Sequence, residues 1–177
     1  MKKKNNKPLF EIKNHHKEYG LQQLNKIKIP KNTWYVTLHL RETGYRGENL
    51  RNTKENHRNV NPINYISAIK SIISAGGYVF RMGHPGSTKL PQIEGLFDYA
   101  NSDIKSEVMD VFLAATCKFC IGSTSGYFRI PRYFGVPVLL VDGPSHVDYL
   151  SLRSDDMYLP RLFRNIQDNR TYKFNEV

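Results

Sequence analysis

The chain has 177 residues, 40 % of them hydrophobic, with 26 lysines and arginines against 16 aspartates and glutamates. That length buries one sizeable core and predicts a single domain, while no stretch approaches the roughly 20 apolar residues of a membrane span or carries the apolar run of a signal peptide. Nine of the first 31 residues are lysines opposed only by Glu11 and Glu18, so +7 of the net +10 sits there; this disfavours a nucleic-acid-binding protein, which wants its basic residues on one face of the folded part.

Residues 1–31 read as a solvated, partly helical basic arm, with contact to anionic lipid as the sharper alternative. The expected location is the cytoplasm, with peripheral attachment at the inner face of a membrane if the arm meets lipid. The folded part, residues 32–177, opens on the aromatic and β-branched run 34–40, too continuous for a half-wet strand and suited to a central one. A polar loop at 41–60 carries Arg46, Arg51, Lys54 and Arg58, interrupted by Glu48 and Glu55. Asn61-Pro62 then starts a helix faced by Ile63, Ile66, Ile69, Ile72 and Ile73 and stopped by Gly76 and Gly77. Residues 78–82 form the second strand and 96–100 a short third. Ser102-Asp103 is read as the cap of a helix carrying Ile104, Val108, Val111, Phe112 and Ala115.

Residues 117–121 follow as a strand. Its Cys117-x-x-Cys120 has no second cysteine pair to complete a zinc site and no helix start to make it a redox pair, so both thiols are expected buried. Next come Gly122-Ser123-Thr124-Ser125-Gly126, a helical stretch at 127–134 interrupted by Pro131, the strand 137–141, and the turn Asp142-Gly143-Pro144. The segment 157–165 has an apolar face and is expected to pack as a C-terminal helix.

Strand and helix alternate three times, which predicts an α/β fold: an open, mostly parallel, Rossmann-like sheet with helices on both faces. Ligands of such sheets sit at the carboxyl ends of the strands. That rule gathers Arg41, Glu42, Arg81, His84, Ser123, Thr124, Ser125 and Asp142 at one rim. Arg81, inside an apolar strand end, must meet an anion or a carboxylate. Either it pairs internally with Glu42, Asp98 or Asp110, or it converges with Arg41 on a phosphate; the second reading is preferred because the guanidinium fork matches phosphate oxygens. Gly122 to Gly126 resembles a phosphate cradle at a helix start, although ordinary helix capping yields a similar string.

Known motifs nearly fit here. The spacing of Gly122 and Gly126 and the Tyr127 after them exclude Walker A, and the first strand lacks a dinucleotide fingerprint. Thr124 stands where a nucleophile elbow needs serine, and Asp142 and His146 are only four apart.

The ordered series His39-Leu40-Arg41-Glu42-x-Gly44-Tyr45, then 78–83, Asp98-Tyr99-Ala100, 110–113, Ile121-Gly122-x-x-Ser125-Gly126, Pro131 and Phe134-Gly135-x-Pro137 resembles bacterial glycosyltransferases of surface polysaccharide synthesis. The resemblance covers about residues 34–165 and implies the nucleotide-sugar-binding half of a GT-B enzyme. A more distant similarity is to the fucosyltransferase superfamily, whose H-x-R motif matches His39 and Arg41. Glu42 departs from it, standing where that family often has a second arginine.

The resemblance implies transfer of a sugar from a nucleoside-diphosphate sugar, GDP-linked in the distant relatives, to a saccharide acceptor, with inversion. Donor contacts fall on Arg41, Arg81, Gly122, Ser123, Thr124, Ser125 and Gly126, and the catalytic candidates are Glu42, His39 and Arg41. Arginines and backbone N–H groups would stabilise the departing diphosphate, a service that D-x-D transferases take from a metal. No D-x-D occurs, so no metal or other cofactor is expected. Glu42 or His39 would accept the acceptor proton. A GT-B enzyme needs two such domains, and this chain is expected to be truncated relative to it, with the acceptor platform supplied by another domain or a second subunit. The alternative is a non-catalytic α/β protein binding phosphate or nucleic acid.

Overall fold

The strands take their places from an alternation of side chains that suits burial on both sides. The computed structural model describes residues 7–42, 56–143, 152–173 and 176; Arg46, Arg51, Lys54 and His146 lie outside them. β1 (Tyr35–His39), β2 (Tyr78–Met82), β3 (Leu96–Phe97), β4 (Phe119–Ser123), β5 (Val138–Gly143) and β6 (Met157–Pro160) form one sheet in the order β3-β2-β1-β4-β5-β6. Every pairing is parallel.

Two cores result. Tyr35, Phe80, Cys120, Val138 and Leu140 are buried on one face with Leu24 of α1 (Asn14–Lys26), Met109, Phe112 and Leu113 of α3 (Glu107–Thr116), and Phe128, which precedes α4 (Arg129–Tyr133). Val36, Leu38, Val79, Ile121 and Val141 line the other, against Ile69, Ile72 and Ile73 of α2 (Ile66–Ser74). Burying each such aliphatic or aromatic side chain contributes about 1.5–3 kcal/mol.

Several boundaries differ from the sequence reading for identifiable reasons. α3 is capped by Ser106, whose side chain accepts from Met109 N–H at 3.3 Å; Ser102 instead donates to Tyr99 O. Cys117 caps the end of α3, so β4 starts two residues later than expected and runs through Gly122 and Ser123. Both thiols are buried, and burial pushes Cys117 up to about 11, which keeps it protonated. Residues 62–65 make a 3-10 turn that leaves Ile63 outside α2 and 45 % exposed. The segment 157–165 is not a helix: its first four residues pair with β5 as the edge strand β6.

The basic arm contains α1, which docks on α3. Gly20 makes this approach possible, because a Cβ there would fall inside the Phe112 ring. Gly20→Val is therefore expected to destabilise the fold by about 1–3 kcal/mol through overpacking, measured by urea unfolding; an unchanged midpoint would show that α1 does not bear on the core.

Candidate functional site

The strand order reverses between β1 and β4, and in an open parallel sheet this reversal opens a crevice at the strands' carboxyl ends. His39 lies in register with Gly122 there, and the two chains continue past the sheet side by side. The Arg41 backbone N–H donates to Ser123 Oγ at 2.7 Å, and Ser125 Oγ hydrogen-bonds His39 Nδ1 at 3.2 Å. Two hydroxyls, Ser123 at the end of β4 and Ser125 in the loop that follows, thus bind this segment to the turn after β1 and to the last residue of β1. Ser123 is wholly buried, so its hydroxyl fixes this geometry from within.

Arg41 projects into a group of arginines. Its Nε donates to Asn59 Oδ1 at 3.3 Å, Arg58 donates to Thr124 O at 3.0 Å, and Arg161 donates to Asn59 O at 3.1 Å and to His57 O. Asp142 is the carboxylate facing this group: it accepts from Tyr65 Oη at 2.6 Å and lies 3.7 Å from Arg161 Nε. Its φ of 51° falls at the irregularity where β5 shifts register against β6. Sequence reasoning placed Arg58 only in a polar loop and missed Arg161, which follows β6 and reaches residues 57–59 across more than a hundred positions.

Arg81 occupies a different role from the preferred expectation. It is 1 % exposed, and its guanidinium pairs with Glu42 and, at 3.4 Å, with Asp98. Glu42 also accepts from Thr88 N–H at 3.0 Å, while Asp98 accepts from Asn101 Nδ2, whose Oδ1 accepts from Gly86 N–H. The internal ion pair therefore describes Arg81, and the convergence of Arg41 and Arg81 on one anion does not. The network holds the loop after β2 in place. His84 lies in that loop, its Nδ1 2.8 Å from Pro85 O and its carbonyl accepting from Ser87 Oγ.

Glu42 and His39 are both directed inward. The Glu42 side chain is 7 % exposed. The His39 ring stacks on Tyr127 at 4.7 Å between centroids and 17° between planes. Burial pushes His39 down to about 4, so the imidazole is neutral at pH 7. Since its folded value lies below the unfolded one near 6.5, the unfolded state binds more protons between these values. Stability is complete above about pH 6.5 and falls as pH drops toward 4, by on the order of 2–3 kcal/mol. Urea unfolding at pH 7, 5.5 and 4 measures this slope, and His39→Gln should flatten it.

The expected helix start at 123–125 is not there. Ser123 ends β4, and the next helix is the five-residue α4 from Arg129, whose N-cap is Phe128. What remains is a loop, Thr124 to Gly126, on the rim beside Arg41. Gly122 stays small because a Cβ would press on Phe128 Cβ at 3.1 Å, whereas open space surrounds the Cβ position of Gly126.

No protein-family model matches the sequence, and no curated protein is significantly similar to it. Two solved structures share the fold. An Escherichia coli ADP-heptose LPS heptosyltransferase II superposes with a TM-score of 0.61 at 16 % identity, covering 90 % of this chain and 46 % of that one. A family 9 glycosyl transferase from Veillonella parvula superposes with a TM-score of 0.52 at 11 % identity, over 77 % and 37 % of the two chains. The chain spans less than half the length of either. Its fold is thus an α/β Rossmann-like unit consistent with one half of a GT-B glycosyltransferase.

Proposed function

We propose that this chain is the nucleotide-sugar-binding half of a glycosyltransferase, with the donor diphosphate in the crevice between β1 and β4. The observation that carries the reading is the joining of Arg41 to the 123–126 loop at the reversal of strand order, within reach of Arg58 and Arg161. The two glycosyltransferase neighbours support it through the fold.

Breaking the bond between an anomeric carbon and a nucleoside diphosphate leaves negative charge on the departing phosphate while the sugar gains oxocarbenium character. Arg41 stabilises that charge by charge-assisted hydrogen bonds, and the backbone of the glycine-framed loop adds neutral donors. The arginines do this in place of a divalent metal. Inversion follows when the acceptor hydroxyl attacks from the side opposite the diphosphate and a base takes its proton. Glu42 and His39 act as positioning residues: Glu42 anchors Arg81 and Thr88, and His39 anchors Ser125. The base and the saccharide acceptor site belong to an acceptor-side domain or a second subunit. Surface polysaccharide is the acceptor class that the sequence resemblance favours.

Calorimetric titration with GDP, UDP, CMP and ADP, with and without Mg²⁺, tests the proposal. Binding of a nucleoside diphosphate without metal is expected. Binding only with metal would contradict the arginine mechanism, and no binding by any of them would contradict the donor site.

A further inference from the structure

A second surface stands apart from the crevice. Pro8 packs over Gly135, where a Cβ would meet Pro8 Cγ at 2.9 Å, and the backbone N–H groups of Leu9 and Phe10 both donate to Tyr133 O, at 2.8 and 3.0 Å. This fixes the backbone of the segment against the end of α4 while its side chains turn outward. Leu9 is 72 % exposed and Phe10 58 %; the Phe10 ring meets Tyr133, itself 40 % exposed, edge-on at 5.7 Å. Water-facing apolar side chains grouped on an ordered backbone mark a contact surface rather than a failed core.

The charge around them identifies the partner. Lys7 and Lys13 flank the segment and are exposed, opposed there by the exposed Glu11, and Lys2, Lys3 and Lys4 precede it in the sequence. Nucleic acid would be met by the lysines but offers no apolar layer to Leu9 and Phe10. An anionic bilayer offers both, since the headgroups take the lysines while the apolar side chains enter the acyl boundary. We propose that residues 7–13 together with Tyr133 form a peripheral contact with an anionic membrane surface. α4 ends where the chain turns back to the start of β5, so this contact lies at the amino-terminal edge of the sheet. Docking there leaves the crevice at the opposite edge clear of lipid.

Cosedimentation of the full chain with vesicles of phosphatidylcholine alone, or of phosphatidylcholine with 30 mol % phosphatidylglycerol, about 0.3 of the lipid, reads this out. Binding to the anionic vesicles alone is expected, weakening as salt rises. Removing Lys7 or Lys13 should lower partitioning about fivefold. Leu9→Ser should lower it about tenfold; Leu9 touches little of the core, so this variant keeps its circular dichroism, and Phe10→Ser serves as a second probe. Equal binding to neutral and anionic vesicles, no effect of Leu9→Ser and Phe10→Ser, or tighter retention on RNA or DNA than on anionic vesicles would each overturn the assignment.

Discussion

Replacing Arg81 by alanine is expected to cost about 3–5 kcal/mol of folding stability, the largest effect of any single substitution at the site. The loss comes from what stays behind. The Glu42 carboxylate, with 7 % of its side chain exposed, would be left without its buried cation, and Asp98 would lose its inner partner. Glu42→Gln added to Arg81→Ala should recover part of the loss, because it removes the stranded charge. Equilibrium urea unfolding of the two variants measures both quantities. A loss below about 1 kcal/mol would mean that the pair behaves as a surface ion pair, contrary to its burial.

Arg41→Ala is expected to do the opposite: little change in unfolding and at least about a tenfold loss in affinity for a nucleoside diphosphate, the size of a charge-assisted hydrogen bond lost. The contact between Arg41 and Ser123 uses the backbone N–H and survives the substitution, so the loop geometry is retained. On the proposed reading the two arginines separate two functions that the sequence alone merges: Arg81 builds the rim, and Arg41 is the one expected to meet the ligand. Equal affinity in Arg41→Ala and the unchanged chain would remove Arg41 from the donor site.

The sequence revealed the sheet more clearly than the rim. β2 falls on the predicted residues because Tyr78 to Met82 is bounded by glycines and carries apolar side chains for both faces. The juxtaposition of Arg41 with Ser123 was legible too, since Arg41 follows β1, Ser123 ends β4, and the parallel α/β pattern sets those strand ends at one edge. The Arg81 partner was not. Glu42, Asp98 and Asp110 are all acidic and near in the chain order of the rim, and only the register of Leu38 with Arg81 brings the turn after β1 over the guanidinium. Local chemistry misled in two other places. Ser102 and Ser106 are both good caps four residues apart, and tertiary packing of Tyr99, whose hydroxyl donates to Ser106 O, fixes the second. In 157–165 an apolar face suits helix or strand, and the open edge of β5 takes it as strand. The resemblance to polysaccharide glycosyltransferases led to the same fold as the structural neighbours; neither neighbour bears on the likeness to fucosyltransferases.

The most direct test of the donor site is to map a bound nucleoside diphosphate by backbone amide shifts in a ¹⁵N-labelled chain, titrated without metal. Shifts concentrated at Arg41, Ser125 and Gly126, with Arg58 and Arg161 among the next affected, are the predicted result. Shifts confined to the amino-terminal edge of the sheet, around Phe10 and Tyr133, with Arg41 and Gly126 unmoved, would contradict it.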